Sequence, residues 1–135
     1  MQLSLGDFVK FLLLSLQRNG TGLSLNNREL WHQLFYRLKK IGEADGKPEF
    51  LKNLWFDWDG KYPKCPKLAD YLNTLRLFGS VVTTGPRYEE YTIPEETQKL
   101  WLREYEKLNK ATKNFLKIST VIAEEEFKKG AITEK

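Results

Sequence analysis

Residues 66–93 read PKLADYLNTLRLFGSVVTTGPRYEEYTI and combine a helix pattern with two short β-prone runs. Pro66 suits the first position of a helix, where no backbone N–H is needed, and Gly79 suits the position just past its end. Between them the apolar side chains recur at helical spacing: Leu68, Ala69, Leu72, Leu75 and Phe78. The runs 81–84 and 88–93 lie on either side of Gly85-Pro86 and predict a β-hairpin.

Three further helices are predicted before residue 66, so we expect a mainly α protein with a small β-hairpin. Asp7 is a candidate cap for a first helix that stops at Asn19-Gly20 and is apolar nearly all round, as a central, buried helix would be. Asn26 begins a capping-box pattern for a second helix, and Pro48 suits the start of a short third one. The aromatic segment 54–58 has strand character. A helix that ends in glycine and leads directly into a hairpin is typical of a winged helix, a variant of the helix-turn-helix.

Beyond the hairpin, residues 94–129 predict one long amphipathic C-terminal helix. Pro94 suits its first position, and no break is expected before Gly130, so residues 130–135 are predicted to fray. We therefore expect a winged-helix-like domain over residues 1–93, with the long helix packed on it or on a dimer partner.

Two stripes follow this C-terminal helix. Basic side chains recur every three or four residues: Lys99, Arg103, Lys107, Lys110, Lys113 and Lys117. They could contact phosphates or an anionic membrane, or simply form the solvated face of a docked helix. Apolar side chains recur every seven residues on the other face: Trp101, Leu108, Phe115 and Ile122. This seam predicts a homodimer through part of the helix, although Glu104 and Glu125 interrupt it and argue against a long coiled coil.

The composition excludes several classes of function. The 135 residues suit one domain, and they contain a single cysteine and a single histidine. An internal disulfide, a Cys/His zinc site and a multi-histidine relay are therefore excluded. The glycines form no nucleotide-binding loop. We expect no enzymatic activity, no cofactor and no bound metal.

The net charge of +4 is concentrated in one part of the sequence. Between Lys61 and Arg87 there are five basic residues and one acidic residue, Asp70, whereas the rest of the chain is balanced. In a winged helix this part faces DNA, with the helix in the major groove and the wing on the backbone or in the minor groove. The sequence therefore predicts a DNA-binding face made of Lys61, Lys64, Lys67, Asn73, Thr74, Arg76 and Arg87. Lysine and arginine would neutralise phosphates, Asn73, Thr74 and Arg76 would reach base edges, and Arg87 would be the wing contact.

Three other residue patterns have a plainer interpretation. Asp57 and Asp59 could share a divalent cation, but the other ligands of a calcium loop are missing, so we expect a turn. His32 is predicted to be exposed or at the rim of its helix. Cys65 lies between two prolines and near three lysines, as a reactive thiol could, but without a histidine in the same segment we expect capping or packing.

Four segments together resemble a known group of families: Arg28-Glu-Leu-Trp-His-Gln-Leu-Phe35, Trp55-Phe-Asp-Trp58, Tyr62-Pro-Lys-Cys-Pro-Lys-Leu68 and Gly79 to Thr92. They resemble prokaryotic winged-helix-like families related to the Panacea-type antitoxin domain. The resemblance covers roughly half of the chain and implies a winged-helix-like fold that docks a protein partner.

The leading interpretation is a DNA-binding winged-helix protein, similar to a transcription regulator or a mobile-element accessory protein, with double-stranded DNA as its partner. The alternative is an antitoxin-like or adaptor module that binds another protein and not DNA. The N-terminal apolar run 11–14 lacks the flanks of a signal peptide, and no window reaches the roughly 20 apolar residues that cross a bilayer. We therefore expect a cytoplasmic protein without a membrane partner.

Overall fold

The structure, a computed structural model, describes residues 3–20, 28–42, 44–58, 60–77, 82–84 and 90–133. It is mainly helical, as predicted. Its elements, in chain order, are α1 (Leu5–Arg18), α2 (Arg28–Lys40), α3 (Phe50–Asn53), α4 (Pro66–Leu77), β1 (Val82–Thr84), β2 (Glu90–Thr92), α5 (Glu95–Glu106) and α6 (Lys110–Thr133).

Helix α1 is the central element. It packs against both α5 and α6, and its seven buried apolar residues lie between Phe8 and Leu16, which confirms the predicted central helix. Its cap is Ser4 rather than Asp7, because the Ser4 hydroxyl accepts a hydrogen bond from the Asp7 backbone N–H at 3.1 Å. Asp7 lies in the first turn instead, where a negative charge interacts favourably with the helix dipole.

Aromatic rings from three helices form the centre of the core. Phe8 of α1 meets Phe35 of α2 in an edge-to-face contact with ring centroids 5.8 Å apart, and it lies 6.1 Å from Phe115 of α6. Trp31 of α2 contacts Phe127 of α6 at 5.3 Å. Helix α6 therefore covers both α1 and α2, and its apolar face is buried within the chain.

Strands β1 and β2 pair in an antiparallel register, with Val82 opposite Thr92 and Thr84 opposite Glu90. The predicted turn at Gly85-Pro86 lies outside the described residues. The backbone just after β2 is held to α1, because the side-chain carbonyl of Gln17 accepts a hydrogen bond from the Ile93 N–H at 2.7 Å. The aromatic segment 54–58, predicted as a strand, forms only an isolated bridge at Asp57.

The prediction of one long helix over residues 94–129 is wrong. Helix α5 ends at Glu106 and α6 begins at Lys110. Asn109 caps α6, since its side-chain oxygen accepts a hydrogen bond from the Thr112 N–H at 2.8 Å. The tail predicted to fray from residue 130 is helical through Thr133. One glycine costs only about 1 kcal/mol in a helix interior, which is too little to end a long helix.

The break also changes the two stripes of the C-terminal region. Trp101 and Phe115, two members of the predicted dimer seam, are buried in the chain's own core. Their need for cover is therefore met within one protomer. The basic stripe is divided between α5 and α6, and two of its lysines are paired with carboxylates, Lys99 with Glu95 and Lys113 with Glu106, each at 3.7 Å. None of the helices, over the residues that the structure describes, is long and apolar enough to span a bilayer.

Candidate nucleic-acid interface

Helix α4 presents one face to the core and one to solvent. Leu68, Leu72 and Leu75 are buried, as the spacing predicted. Lys67, Asp70 and Asn73 are exposed, and they recur every third residue. A ligand can therefore reach the outer face of α4 without any rearrangement of the core.

Three lysines surround the start of α4, and all three are exposed: Lys61, Lys64 and Lys67. We call these three residues the α4 basic surface. The Lys64 backbone is fixed by its bridge to Asp57, with N–H to carbonyl distances of 2.7 and 2.9 Å in the two directions. Its ammonium group lies 5.4 Å from the centre of the Tyr62 ring. The structure thus brings the three lysine positions of the predicted DNA face together at one end of one helix.

His32 lies beneath this surface and is buried, with only 3% of it exposed, so the predicted exposed position is wrong. Its ring nitrogen Nδ1 accepts a hydrogen bond from the Cys65 backbone N–H at 2.9 Å. Cys65 is itself buried, and its carbonyl accepts the Ala69 N–H at the first turn of α4. His32 therefore fastens α2 to the start of α4, a role that the helical pattern of α2 does not reveal.

The charge of His32 is set by the same environment. Burial is the main cause that lowers the pKa of His32, and the positive charges of Arg28 and Lys64 lower it further. An imidazole that accepts a hydrogen bond at Nδ1 must be unprotonated there, so the low pKa and the hydrogen bond favour the same neutral form.

Two predicted base-reading residues already have partners. The side-chain oxygen of Asn73 accepts a hydrogen bond from the Arg28 guanidinium. The Thr74 hydroxyl donates to the Asp70 carbonyl at 2.9 Å, within its own helix. This hydrogen bond therefore places the Arg28 guanidinium at the edge of the outer face of α4. Sequence reasoning missed Arg28, because the two residues are 45 positions apart and no local pattern joins them.

The remaining two predicted contacts are not tested. Arg76 lies in α4, but its side chain is outside what the structure describes, and Arg87 lies outside the described residues altogether. Arg87 as a wing contact and Arg76 as a base-edge contact stay predictions. Asp70 is exposed on the same face of α4 and would repel a phosphate that approached it directly.

Tyr71 fixes α4 against the start of α1. A Cβ atom at Gly6 would lie 3.0 Å from the Tyr71 ring, so the ring rests directly on the glycine backbone. Burial, followed by the nearby charge of Asp7, raises the pKa of Tyr71 to about 12. Tyr71 is therefore a neutral packing residue rather than part of the charged surface.

The described residues contain no cluster of three or more side chains that could hold a metal ion. Asp57 lies in the bridge to Lys64, whereas Asp59 lies outside the described residues, so the pair is not tested as a cation site. No family model, no curated protein and no solved structure matches this chain.

Proposed function

We propose that this chain binds double-stranded DNA through the α4 basic surface. The observation that carries the proposal is the state of its three lysines. All three lie around the start of α4 and are exposed, and none of Lys61, Lys64 and Lys67 lies within ion-pair distance of a carboxylate of a described residue. Exposed ammonium groups that no described carboxylate neutralises are suited to neutralise phosphates and release the counterions of DNA.

The order of elements supports the same function. Helix α4 is followed by the antiparallel strands β1 and β2, the order expected of a winged-helix-like protein. In that arrangement the outer face of α4 would lie in the major groove, with Lys67 and Arg28 toward the backbone and the amide of Asn73 near base edges. Phosphate contacts would supply most of the affinity, and base contacts the specificity.

The proposal is tested by measuring the salt dependence of binding to random-sequence duplex DNA. Replacing both Lys64 and Lys67 with glutamine should weaken binding and lower the slope of log K against log salt by about 0.9 for each phosphate that is no longer neutralised. The matched control is the replacement of Lys107 and Lys110, two exposed lysines at the α5–α6 junction, which removes the same charge elsewhere. An equal loss of affinity in both double variants would refute the α4 basic surface as the binding site.

A protein-interaction module is the second candidate, and one observation favours it. Ile118 and Val121 of α6 are 51% and 57% exposed, which is unusual for two large apolar residues one turn apart. A partner protein or a second copy of the chain would cover them. Self-association that is abolished by Val121→Glu, together with no duplex binding at about 50 mM salt, would support this function over DNA binding.

A further inference from the structure

An aromatic cluster with one exposed ring lies beside the α4 basic surface and has no role in the function proposed so far. Tyr36 of α2 makes edge-to-face contacts with two rings of the segment after α3. Its centroid lies 4.9 Å from Trp58, at an interplanar angle of 86°, and 5.3 Å from Phe56, at 80°. We call Tyr36, Phe56 and Trp58 the aromatic platform.

Trp58 is the accessible member of the platform. Phe56 is buried and Tyr36 is half-buried, whereas Trp58 is 58% exposed. A perpendicular contact uses the edge or one face of an indole, so at least one face of Trp58 remains available to a flat ligand. The contact with Tyr36 also restricts the indole, which reduces the entropy that a stacking ligand would have to remove.

Two cations accompany the rings. The Lys40 ammonium lies 5.3 Å from the centre of the Tyr36 ring, and the Lys39 ammonium lies 5.7 Å from that of Phe56. Lys39 also donates a hydrogen bond to the Leu54 carbonyl, so it is held in place. Lys40 is exposed. The platform therefore pairs a free aromatic face with positive charge, which complements a ligand that carries both rings and anions.

The platform and the α4 basic surface are physically continuous. Asp57, which lies between Phe56 and Trp58, forms the two-way backbone bridge to Lys64. The backbone hydrogen bonds of this bridge hold the aromatic segment directly beside a lysine of the duplex-binding surface. A nucleic acid that reached both sites would therefore cross this bridge between Trp58 and Lys64.

We propose that Trp58 stacks on an unpaired base of a single strand that leaves a duplex bound at the α4 basic surface. This inference rests on the proposed function and names its substrate class, a duplex with a single-stranded extension. Single-strand sites combine aromatic faces with a basic track in the same way. A membrane fits the platform less well, because its other two rings are partly or fully buried and only Trp58 could insert.

The test compares three DNA probes by fluorescence anisotropy: a blunt duplex, the same duplex with an oligothymidine tail, and the oligothymidine strand alone. The wild-type chain should bind the tailed duplex more tightly than the blunt one. Trp58→Ala should weaken binding of the tailed duplex about tenfold and leave binding of the blunt duplex unchanged. Trp58→Tyr, which keeps an aromatic face, should retain most of the tail's contribution.

Trp55 provides the matched control. It is 64% exposed and belongs to the same segment, but it alternates with the inward-facing Leu54 and Phe56. Trp55→Ala should therefore leave all three affinities unchanged. An equal loss in the two alanine variants, or no gain in affinity from the tail in the wild-type chain, would overturn the inference.

The outcomes also separate this inference from the proposed function. Trp58-dependent binding of the single strand without any duplex binding would refute the proposed function and support the platform as a single-strand site. Trp58-dependent binding to phosphatidylserine-containing vesicles, with no affinity for any of the three DNA probes, would overturn both in favour of a membrane surface.

Discussion

Mild acidification should destabilise the protein through one side chain, His32, the only histidine of the chain. Burial and the charges of Arg28 and Lys64 hold its folded pKa below the ordinary value of 6.5. The unfolded chain therefore binds a proton near pH 6.5, before the folded chain does. The free energy of unfolding should be fully retained above pH 6.5 and should fall as the pH drops from 6.5 towards the folded pKa.

The magnitude of this effect has two physical bounds. A single proton limits the slope to about 1.4 kcal/mol per pH unit. Complete loss of the ring as an acceptor leaves the buried Cys65 N–H without a partner, which costs about 1–3 kcal/mol. His32→Ala should therefore lower the free energy of unfolding by about that amount at pH 7.5, where the wild-type ring is neutral.

The assay is urea unfolding, followed by circular dichroism, at a series of pH values from about 7.5 to 5.5, in the window where histidine titrates. His32→Asn is the matched control, because its side-chain oxygen can accept the Cys65 N–H and does not titrate there. Carboxylates titrate in both proteins, so their difference isolates His32. Identical pH profiles for the wild-type chain and His32→Asn would refute the neutral, buried histidine.

Three further predictions concern contacts between elements of the fold, and each is checked by thermal or urea unfolding. Gly46→Ala should destabilise the protein severely, since φ is +83° and a Cβ would lie 2.1 Å from a backbone oxygen of α6. Gly20→Ala, with φ +78° and open space around the Cβ, should cost only about 1 kcal/mol, and equal losses in the two variants would contradict the close approach at Gly46. Asn109→Ala should cost about 1 kcal/mol by removing the cap of α6, and a neutral result would imply that α6 is capped by another group. Gln17→Ala should cost about 1 kcal/mol by removing the acceptor for the Ile93 N–H, and Gln17→Glu, which keeps an acceptor, should cost less.

The sequence and the structure agree best where the pattern of apolar residues is local. The dense apolar run in α1 predicted a central helix, and the leucine spacing in α4 predicted which face is buried. Both follow from helical periodicity, because residues three or four positions apart share a face whatever the rest of the chain does. That Lys61, Lys64 and Lys67 are exposed could be predicted from their charge alone, because lysine is almost never fully buried.

The break between α5 and α6 was a harder case. The repeat of apolar residues every seven positions continued across Lys107–Asn109, so periodicity alone favoured one helix. The cap at Asn109 is a local feature, but asparagine also occurs inside helices, and only the packing of α5 and α6 against α1 selects the break. Tertiary contacts of this kind routinely override helix propensity.

By itself, the amino-acid order determined helices α1 to α4, the inward face of α4 and the stretch that carries the excess positive charge. The three-dimensional arrangement alone decided that His32 is buried and bonded to Cys65, that Arg28 reaches Asn73, and that Trp58 is held near Lys64 by the Asp57–Lys64 bridge. The physical reason is separation along the sequence. Helical periodicity and charge density can be read from neighbouring residues, whereas these contacts join segments that come together only when the core has formed.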